Sequence, residues 1–136
     1  MTNKELLEKD TAINKDSAKD WQFGVVANIS HSHLDENGVI RYGTKSFVGG
    51  TKVYLPKSWI KGYPSIGVIG LNRFKRFAME YVPVGLLENV RVKKVYKPRV
   101  MRVMAHYSFL DGVEWWDNTV ADRKDAEQFV KEWYNK

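Results

Sequence analysis

Four short β-rich runs between residues 51 and 96, with the links that join them, constrain this chain more than any other feature. Lys52-Val53-Tyr54-Leu55 begins just after Gly49-Gly50 and stops at Pro56. Residues 65–71 form the next run, whose Gly67 and Gly70 predict tight packing or a bulge. Residues 77–82 alternate and end at Pro83. The last run, residues 90–96, sets Val90 and Val92 on one face and Arg91 and Lys93 on the other. A long loop (57–64), a basic turn (72–76) and one helical turn (84–89) connect these runs. That is the strand and loop order of an SH3-like barrel. No strand–helix–strand spacing occurs, which argues against a parallel sheet.

The flanks complete an α+β reading. Residues 1–20 are polar and read as a tail or short helix. Residues 23–30 read as a strand and 31–38 as a loop ending in the hairpin dipeptide Asn37-Gly38. Residues 39–42 make a further short strand. Pro98 suits a first helical position, and Val100, Val103, Met104 and Tyr107 then share one helical face. Thr119 with Asp122 resembles a capping box. Ala126, Phe129, Val130 and Trp133 form one apolar stripe, predicting a helix over 120–134. The expected fold is a small antiparallel SH3-like β-barrel (22–97) with C-terminal helices (98–136) packed on it. The 136 residues fit one domain, 21–136, behind the tail.

Composition narrows the function. With no cysteine there is no disulfide framework, zinc–thiolate site or thiol nucleophile. The 43% hydrophobic content is too high for a disordered chain. No run approaches the roughly 18 apolar residues that span a bilayer, so no membrane partner is expected. Met1-Thr2-Asn3-Lys4-Glu5 lacks an apolar signal core, which predicts a cytoplasmic location. The net charge of +6 is unevenly spread. Residues 41–102 hold 14 basic and 2 acidic side chains, whereas each flank is a net −3. Such a block attracts polyanions or acidic proteins.

Catalytic signals are weak. His31-x-His33, with Asp35 and Glu36 nearby, is the one metal-like cluster, and exposed loop histidines are the commoner case. His106 would need a facing nucleophile or carboxylate to act as a base. Glu80 is either paired with a basic neighbour or a lone acid in a cationic cleft. Gly67-x-x-Gly70 lacks the lysine and the spacing of a phosphate loop. No catalytic residue, metal or cofactor is therefore assigned. The basic and aromatic residues interleave instead, from Tyr42 to Lys97. Trp59, Lys61, Tyr63, Arg73, Lys75, Arg76, Arg91 and Lys93 are the expected partner-binding residues, because Trp, Tyr and Arg dominate interface hot spots.

A set of segments resembles a widespread family of small, poorly characterised bacterial proteins. They are Phe23-Gly24-Val25-Val26-Ala27-Asn28, Tyr42-Gly43-Thr44-Lys45-Ser46-Phe47, Gly50-Thr51-Lys52-Val53-Tyr54, Gly62-Tyr63, Val68-Ile69-Gly70, Leu87-Glu88-Asn89-Val90-Arg91 and Val95-Tyr96-Lys97-Pro98. The resemblance spans about residues 22–104 and implies an immunity partner of bacterial polymorphic toxins. The family pattern often has His where Ser46 stands, and Arg-His-Arg in place of Leu71-Asn72-Arg73. If those positions carried an activity, this chain has lost it. The expectation is a non-enzymatic binding module, an immunity-type protein that blocks an acidic or mixed-charge protein partner. The alternative is a nucleic-acid-binding SH3-like barrel that uses the same basic face.

Overall fold

The computed structural model describes residues 21–96, Trp116 and residues 120–135. The predicted tail at 1–20, the helix after Pro98 and His106 lie outside them. The described chain runs β1 (Trp21–Ile29), β2 (His33–Leu34), β3 (Ile40–Arg41), β4 (Lys52–Leu55), β5 (Ser65–Leu71) and β6 (Phe77–Pro83). A 3₁₀ turn (Val84–Leu86), β7 (Leu87–Tyr96) and helix α1 (Val120–Tyr134) follow. No helix among the described residues is long and apolar enough to cross a membrane.

The fold is α+β. Five strands form one antiparallel sheet in the order β6-β5-β4-β1-β7, and β2 and β3 make a separate hairpin. The expected SH3-like barrel, closed or nearly so, does not close among the described residues. Among the described residues no ladder joins β6 to β7, so the sheet is open. The reason lies in the 3₁₀ turn. Ser30 N donates to Leu86 O at 2.8 Å, and Leu87 pairs directly with Ile29. The chain thus leaves β6 and is captured at once by the far side of β1. The same pairing shortens the predicted helical turn from 84–89 to Val84–Leu86. A bulge opposite Val26 and Asn28 absorbs the slip in register, and Asn89 there takes a positive φ of 54°. Asn tolerates that left-handed conformation better than most residues.

One face of the sheet is the core face. Val25, Ala27 and Ile29 of β1 line up with Val53, Leu55, Ile66, Val68, Val82 and Val90. Period-two alternation selects these positions, as the sequence predicts. Gly70 lies on the same face, where an added Cβ would stand 2.8 Å from Val53 Cγ1, so a side chain has no room there.

Helix α1 closes this core over β1 and β7. Its stripe of Ala126, Phe129 and Trp133 is buried as predicted. The Trp59 ring packs 4.8 Å from Trp133 and 5.5 Å from Phe129, measured between centroids. Trp116 stands edge-on to Phe129, and its Nε1 donates to Leu55 O at 3.2 Å. Aromatic pairs in such geometry add to the burial they provide. Trp133→Ala should therefore lower unfolding stability by about 3–5 kcal/mol. Urea unfolding followed by far-ultraviolet circular dichroism measures the loss.

Candidate functional site

The segment between β3 and β4 is shaped by its own turn and held from behind. Thr44 N donates to Phe47 O at 2.8 Å, and Phe47 N donates to Thr44 Oγ1 at 3.0 Å. Gly43 sits at φ +68°, and a Cβ there would collide with the Phe47 carbonyl. Glycine is required on both counts. Phe47 itself is fully buried in the core.

Two charged side chains lock this segment. Glu80 Oε2 accepts from Thr44 Oγ1 at 2.8 Å and from Ser46 N at 3.2 Å. Arg73 Nη2 donates to Thr44 O at 2.7 Å and, at 3.3 Å, to Tyr42 O and Phe47 O. Its Nε donates to Lys45 O at 3.3 Å. The basic turn that carries Arg73 is built by Asn72, whose Oδ1 accepts from Phe74 N and Arg76 N. Such an Asx arrangement fixes the turn, and Lys75 takes φ +62° within it.

The neighbouring hairpin is stabilised by Asp35. Its Oδ1 accepts from Asn37 N and Val39 N at 2.9 Å, and its Oδ2 accepts from Arg41 Nε at 3.0 Å. The Val39 amide, and then Arg41, hold the Asp35 carboxyl below the usual carboxylate range.

These supports present a mixed surface at one end of the sheet. Tyr42 is 73% exposed and Phe74 is 82% exposed, with Leu34 and Ile40 also open to solvent. Arg41, Lys45, Lys75 and Arg76 are exposed around them. A hollow of about 450 Å³ is lined by His33, Ile40, Arg41, Tyr42, Thr44 and Lys45. His33 Nδ1 is buried there and has no hydrogen-bond partner among the described residues.

The residues expected to bind a partner do not share one face. Trp59 is packed against α1, because its large ring fills the gap between loop and helix. Lys61 Nζ donates to Asn135 O at the end of that helix, at 3.2 Å, and Tyr63 beside it is exposed. Arg73 is occupied as a clamp, whereas Lys75 and Arg76 are open on its turn. Arg91 and Lys93 stand on β7, on the face away from the core. The seven residues of β5 separate the Tyr63 end from the Arg73 end, a span of about 20 Å at ordinary strand rise. Glu80 is the acceptor described above and not a lone acid in a cleft. The His31 ring lies beside Gly50. Among the described residues no group of three or more His, Asp or Glu side chains is placed to hold a metal. Sequence reasoning missed Leu34 and Ile40, although a two-residue ladder around Asn37-Gly38 is too short to bury its apolar pair.

Compared with protein-family models, curated proteins and solved structures, the chain finds no match.

Two measurements test this construction. Arg73→Ala should speed hydrogen exchange of the Thr44 and Ser46 amides by about tenfold or more, since several backbone acceptors lose their donor. Unchanged exchange would mean that the clamp is dispensable. Asp35 should titrate below about 3.9, the ordinary aspartate value. Because its folded value is depressed, its contribution is present above that value and is lost as pH falls through the folded one. NMR titration should show the Asn37 and Val39 amides loosening in step with Asp35 protonation.

Proposed function

We propose that this chain is a non-enzymatic, immunity-type binding module that holds and blocks an acidic or mixed-charge protein at its hairpin end. The observation that carries this reading is the exposure of Tyr42 and Phe74 beside Arg41, Lys45, Lys75 and Arg76. Aromatic anchors ringed by cations are the composition of an interface hot spot. The underlying segment is held by Arg73 and Glu80, so little ordering entropy is lost on docking. The surrounding cations steer an acidic partner and reject a basic one. The anchors thus move from Trp59 and Tyr63 to Tyr42 and Phe74, while Lys75 and Arg76 keep their expected place. The strand order β6-β5-β4-β1-β7, with a 3₁₀ turn before the last strand, supports an SH3-like fold in open form. The family resemblance at residues 22–104 supports the bacterial, cytoplasmic setting and the toxin as partner.

The test is a pull-down from the native host with the tagged full chain, with and without nuclease. The partner is then identified and its affinity measured. Tyr42→Ala and Phe74→Ala should each weaken binding by about 30-fold, the loss typical of a hot-spot residue. Neither should lower the melting temperature, because both rings face solvent. Full affinity in both variants would sink the assignment of the anchors. Capture abolished by nuclease would replace the protein partner with nucleic acid. Absence of a toxin gene beside every copy of this gene would remove the immunity role.

A further inference from the structure

Two hydrogen bonds fix the phase of the ladder between β5 and the edge strand β6. Asn72 N donates to Arg76 O at 2.8 Å at one end, and Val84 N donates to Pro64 O at 2.9 Å at the other. Between them the register pairs Gly70 with Ala78, Val68 with Glu80 and Ile66 with Val82. Bonded pairs in an antiparallel ladder recur at every second residue, so Ala78, Glu80 and Val82 turn their amides and carbonyls toward β5. Met79 and Tyr81 turn theirs the other way. Among the described residues no strand pairs with β6 on that side. The Tyr81 ring is 60% exposed and stands with Met79 beside Gly67, on the outer face of the sheet, away from the core.

Sheets commonly guard an edge with charged side chains or a bulge. At the opposite edge, β7 carries Arg91, Lys93 and Lys94 and the bulge with Asn89. Strand β6 has neither a lysine nor a shift of register. Its one charged residue is Glu80, whose carboxylate already accepts from Thr44 Oγ1 and Ser46 N. Pro83 stands at an outward position, where its missing N–H costs the β5 ladder nothing. At its other end β6 begins directly after the turn that exposes Phe74, Lys75 and Arg76.

We propose that the acidic partner adds an extended segment to the β6 edge, antiparallel to it and with acidic residues at the segment's C-terminal end. This rests on the hairpin-end reading above and gives the form the partner takes there. Every ladder in the five-stranded sheet is antiparallel, and an added strand continues the pattern. A segment that enters beside Pro83 and runs against β6 pairs with Tyr81 and then Met79, and it ends next to Lys75 and Arg76. Acidic residues at that end face two exposed cations. Main-chain hydrogen bonds supply affinity in such strand addition, and side chains at alternate positions supply choice. The position beside the Tyr81 ring favours a β-branched residue.

The full chain, labelled with ¹⁵N, is followed by hydrogen exchange alone and with the synthetic peptide Thr-Val-Thr-Val-Thr-Glu-Glu. Alone, the Met79 and Tyr81 amides should exchange at least about tenfold faster than those of Glu80 and Val82. With peptide at about 1 mM, Met79 and Tyr81 should slow by about twofold or more, as for a dissociation constant at or below that concentration. The reversed peptide Glu-Glu-Thr-Val-Thr-Val-Thr should protect them less. Tyr81→Pro removes one outward N–H and leaves the β5 ladder intact. It should bind the first peptide about fivefold more weakly than Tyr81→Thr does, the worth of one hydrogen bond. Melting curves establish that both variants are folded. The inference is overturned if Met79 and Tyr81 are as protected as Glu80 and Val82 in the free chain, if the peptide leaves their exchange unchanged, or if both peptides protect them equally. Such results leave the Tyr42 and Phe74 anchors standing. Full partner affinity in Tyr42→Ala and Phe74→Ala removes those anchors and leaves the exchange result at β6 in place.

Discussion

The loop between β3 and β4 has to bury Phe47 while its backbone polar groups still find partners. Those two demands conflict. Burying an aromatic ring from a loop draws carbonyls and amides out of water, and each orphan costs about 1–3 kcal/mol. Arg73 and Glu80 resolve the conflict from opposite sides. Glu80 accepts from Thr44 and Ser46, and Arg73 donates to the carbonyls of Tyr42, Thr44, Lys45 and Phe47. Both come from the β5–β6 hairpin or its turn, so the sheet holds this loop from behind. Because Phe47 is tied inward, Tyr42 is turned outward and the hollow beside it keeps its shape.

The opposite end of the sheet is organised by a different force. There α1 supplies an apolar stripe, and the long β4–β5 loop supplies Trp59 to meet it. Lys57 with Asp125, Lys61 with Asn135 and Tyr134 with Val90 tie the rim of that contact. The exposed ion pair adds little stability. Burial of the Trp and Phe rings dominates. Trp59, Phe129 and Trp133 at this end are therefore structural, and most of the Trp59 ring is spent on that contact, while Tyr63 stays exposed beside it. An open sheet needs such a cover, since with no ladder between β6 and β7 the core face would otherwise meet water at this end.

What was legible in the sequence followed from periodicity. Alternation located β1, β5, β6 and β7 to within a few residues, and the Ala126-Phe129-Trp133 stripe located α1. The glycines of β5 were read correctly as packing positions, as Gly70 against Val53 demonstrates. Closure of the sheet was not legible, because it depends on which side of β1 captures Leu87. Nor was the role of Arg73. An arginine in a basic turn reads as a binding group, and its four backbone acceptors exist only after the loop has folded against it. The packing of Trp59 is illegible for the same reason in reverse. A loop tryptophan looks available until a helix more than sixty positions away in the chain packs over it.

The central block of positive charge is not one uniform surface. At the hairpin end the cations stand among protruding Tyr42 and Phe74 rings, next to a concave hollow. An anion alone would leave those rings in water, so the proposed partner has to offer apolar as well as acidic groups. On the outer face the geometry is inverted. The apolar residues Val26 and Tyr54 are buried below the cations, and the charged heads of Lys52, Arg91 and Lys93 stand above them. Charge count alone makes these cations equivalent; the exposed rings of Tyr42 and Phe74 among them set the hairpin end apart.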